Sequence, residues 1–294
     1  MTDRVHVAAH AKANLFLRVL SREESGYHSI ETLFTLLELH DELTVERASA
    51  GIELDVEGAE TGETENNLAY KAAKLVLDAT GKRFGVQMHL TKHVPVQAGL
   101  GGGSADCAAA LHAVNRLADD AIPRHEILQF ASRLGSDVSF FASGAAMAIA
   151  WGRGERLYRV QGPKAAPTLV AVPKAGIDTA SAYRLVDAGR SESFHRGSVV
   201  FDHDAFDTWG GIGRLGGNDF EAAVFGNHPE VRALFEQLAE TRPLLVRLSG
   251  SGSALIALYK SDAEMDGAAM QIGESKQRLI RTSTRPNPAL GPVT

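Results

Sequence analysis

The sequence predicts an α+β protein in two domains, on three observations. Strand-period and helix-period segments alternate along 294 residues, a length that holds one large domain or two ordinary ones. Four glycines in five positions, Gly99-Leu100-Gly101-Gly102-Gly103, join one of the strands to a helical segment. Finally, the small and apolar run from Gly144 breaks at Gly152 and Gly154, and a new apolar strand begins at Pro167. We therefore divide the chain into a first domain at 1–157, a second at 158–280 and a flexible tail at 281–294 carrying Pro286, Pro288 and Pro292.

Taken in order, Val5 to Val19 reads as a strand, and its period of two puts Lys12 and Asn14 on one face. Arg22 to Phe34 sets a turn, Tyr27 and His28 before an apolar stretch, which suits an aromatic that is presented rather than buried. The alternating runs Asp41 to Arg47 and Ile52 to Glu57, with Ala48-Ser49-Ala50-Gly51 between them, predict a hairpin. A helix follows from Glu65, with Asn67 as its N-cap and Gly81 near its end. Val86, Met88 and Leu90 alternate with Gln87, His89 and Thr91 as a half-buried strand. After the glycine loop, Cys107, Ala108, Leu111, Val114 and Leu117 recur at helix spacing, with Ser104 expected as the N-cap and Asp106 in the first turn. Pro123 opens another helix, and Asp137 stands between Gly135 and the apolar Val138, Phe140 and Phe141.

The second half gives a strand at Pro167 to Pro173, and Tyr183 in a segment that suits either a core or a binding role. The polar, glycine-rich stretch 189–217 carries Trp209 without periodicity and is assigned no function. Helices open at Asn218 and after Pro229. Ser249-Gly250-Ser251-Gly252 is a second glycine loop, set between Leu245 and a strand ending at Tyr259.

Glycines let a backbone approach a ligand, and the helix start behind them offers free N–H groups and about half a positive charge. The loop therefore reads as a phosphate cradle, the alternative being a flexible glycine turn. It is not a Walker A loop, because Ser104-Ala105 follows Gly103 where Lys and then Ser or Thr are needed. A Rossmann fingerprint fits poorly too, since Ser104 takes the place of the third glycine. Lys92 either sends a cation towards the phosphates or lies along the surface, and Asp137 on sequence alone reads as a cap or turn residue.

Composition narrows the partners. Hydrophobic residues at 44% and charged residues at 22% are ordinary for a globular protein, and a net charge of −6 argues against nucleic acid or an anionic membrane surface. One cysteine, Cys107, allows no internal disulfide, there is no apolar leader, and the eleven histidines show no metal-ligand spacing. A cytoplasmic protein is expected, monomeric or weakly dimeric, with no membrane and no zinc.

Three blocks together carry a resemblance: Ala11-Lys12-Ala13-Asn14-Leu15-Phe16-Leu17, Gly26-Tyr27-His28, and Pro95 to Asp106. They resemble the galactokinase, homoserine kinase, mevalonate kinase and phosphomevalonate kinase superfamily, over about Lys12 to Tyr259. Gly26-Tyr27-His28, together with the Lys12 to Leu17 strand, points to its branch that phosphorylates a cytidine diphosphate-linked erythritol in the non-mevalonate isoprenoid route. The resemblance implies a first domain like ribosomal protein S5 domain 2, a ferredoxin-like second domain, and an active site in the cleft between them. It implies Lys12 and Asp137 as catalytic residues, with Asp137 the base. ATP would lie on Asn67, Lys92, Pro95, Gly99, Leu100, Gly101, Gly102, Gly103 and Ser104. The substrate would meet Asn14, Tyr27, His28 and Tyr183, with the two tyrosines sandwiching a cytosine and the backbone and ring of His28 reading its edge, and Ser249, Gly250, Ser251 and Gly252 would be the third motif. Magnesium is expected on the ATP phosphates, with the Ser104 hydroxyl as a ligand to it or a donor to a phosphate. The Asp137 block departs from the family by having Ser139 where proline usually stands, which should shift the local turn slightly. Another kinase of the superfamily, acting on homoserine or mevalonate, or an inactive nucleotide-binding module, are the alternatives.

Overall fold

The computed structural model describes residues 2–24, 26–174, 176–189 and 202–287. Two long strands, β1 (Arg4–Arg22) and β2 (His28–Ala48), form an antiparallel ribbon on which the molecule is built. β2 also pairs with β4 (Gly85–Thr91) and β5 (Met147–Gly152), and β5 turns back into β6 (Arg156–Arg159). β3 (Ile52–Glu57) does not form the expected hairpin with β2: it pairs in parallel with β4, which lies between them. A parallel neighbour needs a crossover, and α1 (Leu68–Ala79) supplies it. Gly85 makes the insertion possible, because a Cβ there would stand 2.2 Å from the Ala50 carbonyl carbon. Because β6 pairs with β5 as far as Arg159, the boundary at 157 falls inside a strand of the first sheet.

On one side of that sheet lie α1, α2 (Gly102–Leu117), α3 (Arg124–Leu134) and α4 (Ser136–Ser143), around a core that includes Val76, Leu90, Leu111, Val114 and Phe140. Asn67 caps α1 as its position suggests, accepting from Ala69 N. Ser104 does not cap α2. Gly101, in the left-handed conformation at φ 72°, takes the N-cap position, so Ser104 is the third helical residue and Asp106 the fifth. Only a glycine enters that region freely, and so the helix begins earlier than a serine cap would allow. Cys107 is buried, and burial followed by the Asp106 charge pushes its thiol up to about 12.

The second half builds a four-stranded antiparallel sheet, β8 (Leu245–Leu248), β9 (Leu255–Leu258), β7 (Pro167–Pro173) and β10 (Gln277–Arg285), in that spatial order. β10 continues to Thr284 and Arg285, which pair with Leu37 and Leu36 of β2 and join the two sheets. Residues 281–285 are thus strand rather than tail, and 288–294 lie outside the described residues. α5 (Thr179–Ala188), α7 (Phe220–Asn227), α8 (Pro229–Glu240) and α9 (Asp262–Ile272) complete this half. The stretch 189–217, read as lacking periodicity, contains α6 (Trp209–Arg214), where Trp209 is buried and its Nε1 donates to Lys164 O at 3.1 Å. Its glycines hid the apolar pattern, and 190–201 of it lie outside the described residues.

Between the two halves, Ala11, Ala13, Leu15, Val94, Ala98, Leu100, Ile212 and Ile256 form a shared apolar cluster. The glycine loop is thereby anchored by its own Val94, Ala98 and Leu100. Among the described residues no helix is long and apolar enough to cross a membrane.

Candidate active site

Lys12 and Asn14 sit where β1 is irregular, with register shifts against β2 between His10 and Lys12 and between Asn14 and Phe16. Bulges re-aim side chains, and here they turn both residues inward, where each is buried. Lys12 Nζ donates to Asn14 Oδ1 at 2.7 Å and to Gly99 O at 2.9 Å, and lies 3.4 Å from Asp137 Oδ2. Asn14 Nδ2 donates in turn to Thr32 Oγ1 at 2.8 Å, whose hydroxyl donates to Phe16 O at 2.7 Å. A buried ammonium is held in one place by this chain of bonds.

Asp137 reaches the same point from α4. Gly135 breaks the preceding helix, α4 starts at Ser136, and buried Val138, Phe140 and Phe141 lock its inner face, so Asp137 in the first turn faces the cleft. Ser139 leaves α4 intact; its hydroxyl is buried without a hydrogen-bond partner among the described residues.

The glycine loop crosses above Lys12. Lys12 N donates to Leu100 O at 2.9 Å, and Gly99 O also accepts from Ser249 Oγ at 2.9 Å. Ala254 N donates to Ala98 O at 3.1 Å, so the third motif braces the first loop. Gly99, at φ +78°, could carry no side chain: a Cβ would stand 2.0 Å from Ser249 O. Gly101 is similarly closed, its Cβ falling 2.9 Å from Phe141 and 3.0 Å from Lys12 Cγ. Asn218, beyond its place at the start of α7, donates to Leu248 O and Gly250 O at 2.8 and 2.7 Å and holds the third loop. Gly250 and Ser251 face the cleft; Ser249 is buried behind it, and Gly252 N is taken by Ser249 O at 3.0 Å.

Two cavities meet at this crossing. One, of about 350 Å³, is lined by Asn67, Leu68, Lys92 and the whole stretch from Val94 to Ser104. The other, of about 710 Å³, is lined by Lys12, Asn14, Tyr27, His28, Asp137 and Tyr183, among others. Gly99 and Gly101 line both, so a group held on the loop and a group held beside Asp137 are neighbours.

Lys92 is not a surface lysine. It is buried between Asp41 and Asp106, 2.5 Å from Asp106 Oδ2. Asp41 is 0% exposed and its other oxygen accepts from His93 N at 2.5 Å and Val94 N at 2.8 Å. Burial, opposed by Lys92 and reinforced by Asp41, pushes the Asp106 carboxyl up to about 7. The cluster fixes the entry to the glycine loop, and its ammonium is already shared by two carboxylates.

In the larger cavity Tyr27 is 58% exposed, with the Arg153 guanidinium 4.0 Å over its ring, and Arg153 is held by Glu23 at 2.6 Å. Tyr183 stacks on His28 at 4.6 Å with an interplanar angle of 18°, and meets Phe220 edge-on at 4.9 Å. Burial, followed by the Asp137 charge, pushes the Tyr183 phenol up to about 12, which keeps it a neutral donor. No ring contact joins the two tyrosines among the described residues; both line the one cavity. Asp41, Asp106, Arg153 and Asn218 escaped the sequence reading as site residues, because each bonds a partner distant in the chain.

The chain is similar to known families and proteins. The GHMP kinases N terminal domain family matches residues 67–152, and the GHMP kinases C terminal family matches 203–275. A 4-diphosphocytidyl-2-C-methyl-D-erythritol kinase of Solibacter usitatus is 36% identical over 289 residues, 97% of this chain and 90% of that protein. One of Chloroherpeton thalassium is 36% identical over 284 residues, covering 95% and 96%. Among solved structures, a 4-(cytidine 5'-diphospho)-2C-methyl-D-erythritol kinase superposes with a TM-score of 0.81 at 32% identity, over 95% of this chain and 98% of that one. A homoserine kinase from Cytophaga hutchinsonii superposes at 0.71 with 17% identity, over 98% and 96%, a likeness of fold alone. The chain is an ATP-dependent kinase and belongs to the 4-diphosphocytidyl-2-C-methyl-D-erythritol kinases of the GHMP kinase family.

Proposed function

We propose that this kinase transfers the γ-phosphoryl group of ATP to the 2-hydroxyl of 4-diphosphocytidyl-2-C-methyl-D-erythritol, directly and in line. The observation that carries the reading is the Lys12–Asp137 pair, 3.4 Å apart, at the point where the two cavities share Gly99 and Gly101. Phosphoryl transfer passes through a loose transition state, so the protein mainly positions two reactants and stabilises charge. ATP takes the smaller cavity, with its phosphates on Gly101, Gly102, Gly103 and Ser104 at the start of α2, and its base towards Asn67 and Leu68. The acceptor takes the larger one. Its hydroxyl oxygen attacks the γ-phosphorus as the bond to the β–γ bridging oxygen breaks; the hydroxyl proton passes to Asp137, and ADP leaves. Lys12, held by Asn14 and Gly99 O, offers its ammonium to the transferring group. The Ser104 hydroxyl lines the ATP cavity and makes no hydrogen bond among the described residues, so it is free to join the phosphates in holding magnesium. Bound there, the ion would neutralise phosphate charge. Oligomeric state is proposed as monomer or weak dimer, in the cytoplasm.

The test follows ADP release with ATP, magnesium and each of three alcohols. Turnover is expected with 4-diphosphocytidyl-2-C-methyl-D-erythritol; turnover with homoserine or mevalonate instead would overturn the proposal. In the same assay Tyr27→Ala should raise the acceptor KM about 5- to 150-fold, the worth of one base stack, and leave the ATP KM alone. An equal effect on both would remove Tyr27 from the acceptor cavity.

A further inference from the structure

His28 is held on two sides by one helix. Tyr183 and Asp187 are four residues apart on α5 and so share a face. Tyr183 stacks on the imidazole, while His28 Nε2 lies 2.8 Å from Asp187 Oδ1. His28, Tyr183 and Asp187 all line the larger cavity, and His28 Nδ1 has no hydrogen-bond partner among the described residues.

A carboxylate can only accept, so the hydrogen in this contact is on Nε2. In a neutral imidazole the other nitrogen then carries a lone pair. We propose that Asp187 is a positioning residue that sets base specificity: it commits His28 Nδ1 to accepting, so that the cavity takes a pyrimidine with an exocyclic amine and turns away one with a carbonyl at that position. Cytosine presents an N–H there. Uracil presents an oxygen, which would face the Nδ1 lone pair and leave two acceptors without a donor, the kind of mismatch that sites built for hydrogen bonding reject strongly. This deepens the acceptor reading given above and rests on it.

The test uses equilibrium binding of CMP and UMP to the full chain at pH 8, together with 15N NMR of the imidazole nitrogens of the unaltered protein, His28 being assigned from the spectrum of His28→Gln. The unaltered protein is expected to bind CMP about tenfold or more tighter than UMP. His28 should show a protonated, pyrrole-type Nε2 and an unprotonated, pyridine-type Nδ1. Asp187→Ala should shrink the CMP preference while CMP still binds. A protonated Nδ1, or a CMP preference that Asp187→Ala leaves unchanged, overturns the role of Asp187. If the unaltered protein binds neither nucleotide, the cytidine reading of the cavity itself falls, and this inference with it. The NMR measurement needs no variant of Asp187, so a misfolded Asp187→Ala leaves the proposal exposed to disproof.

Discussion

Asp137→Asn should lower kcat by about 10²- to 10⁴-fold while leaving the ATP KM nearly unchanged. The substitution keeps the shape of a side chain on the first turn of α4 and removes its negative charge, and with it the ability to take a proton and the ion pair with Lys12 Nζ. Lys12 would retain Asn14 Oδ1 and Gly99 O as acceptors, so the ammonium and the glycine loop stay where they are. Steady-state kinetics with both substrates varied checks this. A folded Asp137→Asn protein turning over near the wild-type rate would show that Asp137 is not the base.

Asp41→Ala is expected to destabilise the protein by about 3–5 kcal/mol, the usual cost of breaking a buried ion pair from one side. Asp41 is fully buried and serves three donors at once, Lys92 Nζ, His93 N and Val94 N. Truncation leaves two backbone N–H groups without that acceptor and Lys92 facing Asp106 alone. It should also loosen the entry to the glycine loop, because His93 and Val94 lead into it. Urea unfolding measures the effect; a loss under about 1 kcal/mol, typical of exposed pairs, would contradict it.

Much of the site was legible because its chemistry is written in short local patterns. A period of two put Lys12 and Asn14 on one face, and the structure joins them by a 2.7 Å hydrogen bond. The glycine loop read as leading into a helix, and it runs straight into α2, although Gly101's left-handed conformation moves the helix start ahead of Ser104. That Lys12 and Asp137 meet came from family resemblance, since 125 residues separate them and no local pattern links them. The β3 pairing was missed because alternation identifies a strand and says nothing of its neighbour; Ile52–Glu57 could as well pair with β2 as with β4. Residues 281–285 read as tail because prolines follow them, while their alternation completes both sheets. Asp41 was invisible for a different reason. A carboxylate in a strand normally faces solvent, and only the fold brings Lys92 and two backbone donors to it.

In the proposed reaction a phosphoryl group crosses from the glycine loop to an alcohol beside Asp137. The most direct measurement incubates the protein with ATP labelled in its γ-phosphate, magnesium and 4-diphosphocytidyl-2-C-methyl-D-erythritol, and recovers the acceptor for 31P NMR. The label is predicted on the 2-hydroxyl oxygen of the acceptor, in step with ADP formation. Label found only in inorganic phosphate, or none transferred while the protein still binds ATP, would contradict it.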